Sequence, residues 1–302
     1  MSIKEIVNQF KDKKILVIGD IMLDHYIYGE VNRVSPEAPV PVVRKIKEEF
    51  RLGGAGNVAK NLYDLGAKVI CSGLIGMNGD KVTEFLKKID SAKGSYCIHS
   101  SFYLTPIKTR IIGDHQQIVR IDEEQNATSS GHVKKLTKSI LELIKSGDID
   151  AIIFSDYDKG VIDRELIGLV RGEAKEKGII TVADPKKENS KFYKSIDFLI
   201  PNEKEASDAL HSLQSYYPES DLFIERLIQY LDAKAVLITR GAKGMTLYKW
   251  NDGLVNITNI PALKKQIYDV TGAGDTVASL FTLAYVSGAD TLLSSKIANV
   301  GA

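Results

Sequence analysis

The stretch Asp269-Val270-Thr271-Gly272-Ala273-Gly274-Asp275 decides how the rest of this 302-residue chain is read. An acid stands at each end, glycines bracket an alanine, and Val277, Ala278, Leu280, Phe281, Leu283 and Ala284 follow as an apolar run. The pattern predicts a loop that opens into a helix. Glycine lets the backbone approach a ligand closely, and the N–H groups at a helix start attract an anion. Asp275 then falls in the first helical turn, a carboxylate beside an anion site. The same residues also suit a plain glycine turn, with Asp275 as an N-terminal acid stabilised by the helix dipole.

The length suits one large α/β domain or two small ones, and 44% apolar residues are ample for a core. A formal net charge of +1 gives no general reason to bind nucleic acid or membrane. Two cysteines, Cys71 and Cys97, imply no disulfide framework and fit a reducing cytosol. No apolar run reaches membrane-spanning length, and the first residues lack a signal peptide's apolar segment. Instead Ile3, Ile6, Val7 and Phe10 fall at helical spacing behind a Ser2-x-x-Glu5 capping box, which predicts a short amphipathic helix on the core.

Lys14–Gly19 is a continuous apolar run, as expected of a strand buried on both faces. Asp20 and Asp24 follow it. Ligands of open α/β sheets bind beyond the carboxyl ends of strands, so both acids are placed to hold hydroxyls, although both also suit turns. In Ser35-Pro36-Glu37-Ala38-Pro39-Val40-Pro41-Val42 the prolines exclude helix and central strand, leaving an edge or projecting segment. Gly53-Gly54-Ala55-Gly56-Asn57-Val58-Ala59 opens a helix ending near Gly66. Its spacing also satisfies a dinucleotide fingerprint, which needs a strand before it and an acid after it. Lys47–Arg51 is a poor buried strand, and Lys68–Gly76 has no acid. Backbone N–H groups and the Asn57 amide binding hydroxyls is the better fit.

Further on, Lys68–Ile75 reads as a strand and Gly79–Ile89 as a helix. Thr109–Ile112 and Gln117–Ile121 flank a turn at Gly113-Asp114-His115. Residues 26–44 and 96–122 pair as a small sheet forming a lid. Lys108, Arg110 and Arg120 cluster in it, either as solvated charges or as ligands of a phosphate on the substrate, which suits arginine's forked donors. Beyond Asp122, helices Val133–Ile144 and Asp163–Lys177 alternate with strands Ala151–Ser155, Ile179–Ala183, Phe198–Ile200 and Ala235–Thr239. Polar residues recur after the strands: Asp156–Gly160, Asp184-Pro185-Lys186, Asn202–Glu205 and Arg240–Gly244. The fold class is therefore α/β, with a mainly parallel sheet covered by helices on both faces. Neither a P-loop nor the protein-kinase motifs are present.

The two glycine motifs, Gly53-Gly54-Ala55-Gly56-Asn57 and Asp269-x-Thr271-Gly272-Ala273-Gly274-Asp275, resemble in order and separation those of the ribokinase-like (PfkB) carbohydrate kinases. The resemblance covers nearly the whole chain. It implies a single ribokinase-like kinase domain over 1–302, with a β-sheet lid, that phosphorylates a sugar hydroxyl with ATP and Mg²⁺. Asp275 would be the catalytic base, and Gly272, Ala273 and Gly274 the anion cradle. Asp24 falls at the family's sugar-binding acid, with Asp20, Gly53, Gly54 and Asn57 beside it. Asn202-x-x-Glu205, enclosing Glu203 and Lys204, matches the motif that organises metal and ATP phosphates, with Glu205 reaching the metal through water. Thr239, Gly241 and Gly244 match the nucleotide loop, which unaided would read as a hairpin turn. Asn299 falls on the helix lining the adenine pocket, a helix expected to continue past Ala302.

Arg33-x-Ser35-Pro36-Glu37-Ala38-Pro39-Val40-Pro41-Val42 closely resembles a run in the heptose 7-phosphate kinase branch of that family. The run from Lys108 through Arg110, Gln117 and Arg120 to Asp122 is similar too, and Gly53–Asn57 approaches that branch rather than ribokinase. This implies action on the C1 hydroxyl of D-glycero-β-D-manno-heptose 7-phosphate, toward ADP-heptose for lipopolysaccharide or other surface polysaccharide. Arg33, Lys108, Arg110, Gln117 and Arg120 would then bind substrate. The alternatives are a kinase of a hexose phosphate such as fructose 6-phosphate, a non-catalytic regulator of the same fold, or, third, an NAD oxidoreductase. Unpaired lid edges predict a homodimer, and the location expected is the cytoplasm.

Overall fold

The computed structural model describes residues 1–89, 97–100, 102–125, 131–186, 189–213, 222–251, 254–263 and 272–301. Tyr96 of the expected lid and Asp269, Val270 and Thr271 of the opening motif lie outside them. The chain begins with α1 (Ile3–Asn8), β1 (Lys14–Gly19), β2 (Ile21–Val34), β3 (Pro41–Gly54), α2 (Ala55–Asp64), β4 (Lys68–Ser72) and β5 (Leu74–Ile75). It continues through α3 (Asp80–Ile89), β6 (Ile98–His99), β7 (Ile107–Gly113), β8 (Gln116–Glu123), α4 (Gly131–Ser146), β9 (Ala151–Ser155), α5 (Arg164–Lys177) and β10 (Ile180–Asp184). Then come β11 (Phe198–Leu199), α6 (Glu203–Leu213), α7 (Leu222–Leu231), β12 (Ala235–Thr239), β13 (Met245–Asn251), β14 (Leu254–Ile260), α8 (Ala273–Val286) and α9 (Thr291–Gly301).

The large sheet has the order β14-β13-β12-β11-β10-β9-β1-β4. It is parallel from β12 to β4, and β13 and β14 are antiparallel at one edge. The period-2 alternation of a strand explains its core. Ile15 and Val17 of β1 point into one apolar layer with residues of α2, α3, α8 and α9. Leu16 and Ile18 point into the other, with residues of α4, α5 and α7. Every residue from Ile15 to Ile18 is fully buried, so an apolar run without polar relief is what the position demands. The fold is thus α/β, a mainly parallel sheet covered by helices on both faces, as expected.

The second sheet has the order β3-β2-β7-β8. Strands β2 and β3 form a long antiparallel hairpin whose loop holds Pro36 and Pro39, and β3 is an edge. Lys47–Arg51 is not a buried strand but lies within that edge, with exposed or half-buried charges. Strand β7 runs parallel to β2, and β8 closes the sheet through a turn at Asp114 and His115, whose φ values are +50° and +68°. The lid begins later than expected, at Ile107, because Ile98–His99 pairs instead with β5. Lys68–Ile75 likewise breaks into two strands at Gly73, where a Cβ would sit 2.8 Å from Ile21 Cδ1.

The cap of α1 is the predicted reciprocal pair, Ser2 N donating to Glu5 Oε2 (2.7 Å) and Glu5 N to Ser2 Oγ (3.3 Å). Its apolar face is narrower than the spacing suggested. Ile6 and Phe10 are buried, whereas Ile3 and Val7 are 56% and 45% exposed. Helix α5 is capped by Asp163 and stopped by Gly178 at φ +65°.

Candidate active site

The parallel strands end on one side, and the segments that follow them converge there on the start of α8. A cavity of about 490 Å³ opens between them, lined among others by Tyr157, Asp184, Glu205, Gly244, Gly274 and Asp275. Gly272 is the N-cap of α8, at φ +80°, and as a glycine it brings no side chain to the cap. Among the described residues, no side chain accepts from the first N–H groups of α8, Ala273 to Asp275. A Cβ on Gly272 would lie 2.7 Å from Asn57 Nδ2, so both the backbone angle and the packing call for glycine.

Asp275 is 4% exposed. Its Oδ2 accepts from Asn57 Nδ2 at 2.6 Å and its Oδ1 from the Tyr157 hydroxyl at 2.8 Å. Burial raises its pKa above the usual carboxylate value, against the pull of Asn57, Tyr157 and Lys186. One N–H of the Asn57 amide is engaged with Asp275, which ties α2 to α8.

Asp20, the other acid expected beside the sugar, faces the protein interior. It is fully buried, and its carboxylate accepts from the backbone N–H groups of Tyr157 (2.9 Å), Lys159 (3.1 Å) and Val161 (3.1 Å). Both oxygens are spent inside the protein, so Asp20 does not present itself to a hydroxyl. Asp24 does not line the cavity, but its charge acts on Asp275 and, after burial, helps to raise that carboxyl's pKa. A Cβ on Gly53 would meet Asp24 Oδ2 at 2.7 Å, and Gly54, at φ +55°, turns the chain into α2.

The lid cations divide. Arg110 Nη1 donates to Asp24 Oδ1, and both side chains are largely buried, at 12% and 14% exposure. The guanidinium also lies 5.2 Å from the Tyr26 ring centroid. Arg120, across the sheet from Arg110, makes two bonds to Asp122 at 2.8 and 2.9 Å and is half exposed. Lys108 is half-buried on β7, in register with Asp24. Arg33 and Gln117 are exposed on the lid, and neither lines the cavity.

On the other side, Asn202 and Glu205 form a capping box. Glu205 N donates to Asn202 Oδ1 and Asn202 N to Glu205 Oε2, both at 2.9 Å. The Asn-x-x-Glu spacing is thus a helix start that also lines the cavity. Glu203 and Lys204 are exposed on the first turn of α6 and do not line it, and Glu203 pairs with Arg240 at 3.3 Å. Thr239, Gly241, Gly244 and Asn299 do line it. Gly241 and Gly244 have φ +53° and +90° in the β12–β13 hairpin turn, so the hairpin and nucleotide-loop readings describe one turn. Asn299 Nδ2 donates to Pro261 O at 2.9 Å.

Three site residues were not singled out from the sequence: Tyr157, Asp184 and Lys186. Tyr157 and Lys186 follow parallel strands and Asp184 ends one, which was the available signal. Lys186 Nζ bridges Glu205 and Asp184, the latter at 3.6 Å. Burial lowers the lysine's pKa, but the two carboxylates outweigh burial and raise it. Asp184 Oδ1 is buried and accepts no hydrogen bond. Among the described residues, Lys186 is the cation that these two carboxylates share. Among the described residues no cluster of three or more His, Cys, Asp or Glu is arranged to cage a metal. Among them, too, no helix is long and apolar enough to cross a membrane.

The bifunctional protein HldE of Pelobacter propionicus is 34% identical over all of this chain and 61% of its own length. That of Geobacter metallireducens is 39% identical over 97% of this chain and 59% of its own. The chain thus spans about three fifths of the curated relatives it matches. Among solved structures, Escherichia coli phosphofructokinase-2 with substrates and products superposes with a TM-score of 0.73 at 17% identity, covering 94% of this chain and 89% of that one. Arabidopsis thaliana ribokinase with ribose and ATP gives 0.69 at 19%, covering 95% and 90%. Both share the two-sheet fold. The pfkB carbohydrate kinase family matches residues 12–302, and with the glycine N-cap of α8, the buried Asp275 and the glycine turns in place, this chain belongs to that family of kinases.

Proposed function

We propose that the chain phosphorylates the C1 hydroxyl of D-glycero-β-D-manno-heptose 7-phosphate with ATP, giving the 1,7-bisphosphate used toward ADP-heptose. The observation that carries the kinase reading is Asp275, a buried carboxylate held by two hydrogen bonds on the opening turn of a helix whose N-cap is glycine. The heptose reading is supported by the Arg33–Val42 run of the lid hairpin and by the full-chain likeness to the HldE proteins.

Asp275 takes the proton of the attacking hydroxyl as its oxygen bonds to the γ-phosphorus and the bond to the ADP oxygen breaks. The N–H groups of Ala273, Gly274 and Asp275 hold the charge that grows on the transferring phosphoryl oxygens. Lys186 adds a positive charge beside them. Asp184 and Glu205 are the residues that would hold Mg²⁺, which would supply neutralisation of phosphate charge when bound. The buried Asp184 oxygen that accepts no hydrogen bond fits such a cation. Asp24, Lys108 and Arg110 hold the sugar and its phosphate, and the lid keeps water from the phosphoryl group. Lid edges β3 and β8, with Ile46, Val119 and Ile121 exposed, support pairing of two copies. We read residues 1–302 as one kinase domain working in the cytoplasm.

The test is ADP release on a panel of sugar phosphates. The highest kcat/KM is expected on heptose 7-phosphate. A higher value on fructose 6-phosphate would assign the chain to a hexose phosphate instead.

A further inference from the structure

Tyr157 belongs to no motif read in the sequence, yet it touches the reacting carboxylate. Its hydroxyl donates to Asp275 Oδ1 at 2.8 Å, the oxygen that Asn57 does not hold. Its backbone is held as tightly. The fully buried Asp20 accepts from the N–H groups of Tyr157, Lys159 and Val161. Positive φ at Asp158 (+58°) and Gly160 (+88°) folds the intervening segment around that carboxylate. Lys159 Nζ pairs with Glu124 at 2.8 Å, one residue past lid strand β8, and Lys186 Nζ lies 5.1 Å from the centre of the Tyr157 ring. Gly19 completes the scaffold. A Cβ there would run into Ser155 O, so the ends of β1 and β9 abut and carry Asp20 and Tyr157 together.

We propose that Tyr157 is a positioning residue for the base: its hydroxyl fixes the Asp275 carboxylate, and Asp20 fixes Tyr157 through three backbone N–H groups. This rests on Asp275 being the base. With Asn57 on one oxygen and Tyr157 on the other, the carboxylate cannot rotate freely, and the acceptor hydroxyl meets a lone pair in a fixed place. The tyrosine donates throughout and takes no proton itself. Its O–H favours the ionised carboxylate. The charged groups facing Asp275 are Lys186, which does the same, and Asp24 and Asp184, which oppose it.

Tyr157→Phe keeps the ring beside Lys186 and removes only the hydroxyl. The kcat is expected to fall roughly ten- to a hundredfold, the scale of one hydrogen bond to a charged group. KM for ATP should change little, and the acid limb of the kcat profile should move to higher pH. A second readout needs no substrate. Protein labelled with ¹³C at the aspartate carboxyl is titrated by NMR, with the Asp275 signal identified by its loss in Asp275→Asn. Its midpoint should rise in Tyr157→Phe, whichever sugar the enzyme accepts. Coincident midpoints overturn the proposal. So does a shifted midpoint with wild-type kcat on the best acceptor, because the contact then exists without positioning a base.

Discussion

Asn57 Nδ2 donates to Asp275 Oδ2 at 2.6 Å, joining residues 218 positions apart. The two glycine motifs of the sequence are therefore one structural unit. The first places Asn57 on the opening turn of α2, the second places Asp275 on the opening turn of α8, and the bond locks the helix starts together. Asp275→Asn preserves shape and removes proton acceptance. The kcat should fall by roughly 10²–10⁴, the range of general base catalysis, while ATP binding measured by calorimetry persists.

Gly272→Ala attacks the same unit from the backbone. At φ +80° a side chain costs about 1–2 kcal/mol, and the new Cβ would press on Asn57 Nδ2. A lower melting temperature together with a lower kcat is expected. Unchanged kcat in a folded variant would mean that the Asn57–Asp275 contact is dispensable.

The Arg110–Asp24 pair complicates any reading of Arg110 as a phosphate ligand. Both side chains are largely buried, so Arg110→Ala strands Asp24 and should destabilise the fold, by at most roughly 3–5 kcal/mol. Adding Asp24→Asn should restore part of that stability. KM for the phosphosugar should remain high in the double variant, because the guanidinium is still missing. Recovery of KM along with stability would reduce Arg110 to a structural partner, leaving Lys108 as the candidate.

Buried acids make stability fall as pH rises. Asp156 is fully buried beside Asp20, and burial, followed by that neighbour's charge, pushes its pKa from 3.8 to about 7. The folded state then keeps a proton that the unfolded chain releases. The stabilisation is complete below about pH 4, the unfolded value, and is lost as pH climbs through about 7. Asp20, Asp184 and Asp275 are shifted the same way. In Asp156→Asn, which can still meet Tyr193 and the Asp158 N–H, the drop in melting temperature between pH 5 and pH 8 should shrink. An identical drop would show that Asp156 ionises without penalty.

Much of this was legible in the sequence because two physical patterns are local. Fully apolar runs such as Lys14–Gly19 mark strands covered on both faces, and a glycine-rich turn before an apolar helix marks an anion site. What escaped was long-range. Asp20 looks like any acid after a strand, and nothing local says that three N–H groups from 157–161 will consume it. Tyr157 and Lys186 sit on loops after strands like several other polar residues, and only the sheet order brings them to Asp275. The break at Gly73 was hidden for the same reason, since it answers to Ile21 on another strand.

The central claim is best tested by ³¹P NMR of the product formed from ATP and D-glycero-β-D-manno-heptose 7-phosphate. The expected result is a second phosphorus signal coupled to the anomeric proton, with the original 7-phosphate signal retained, and its absence with Asp275→Asn. Transfer to a hydroxyl other than C1, or no transfer to this sugar while another phosphosugar is converted, would contradict the account.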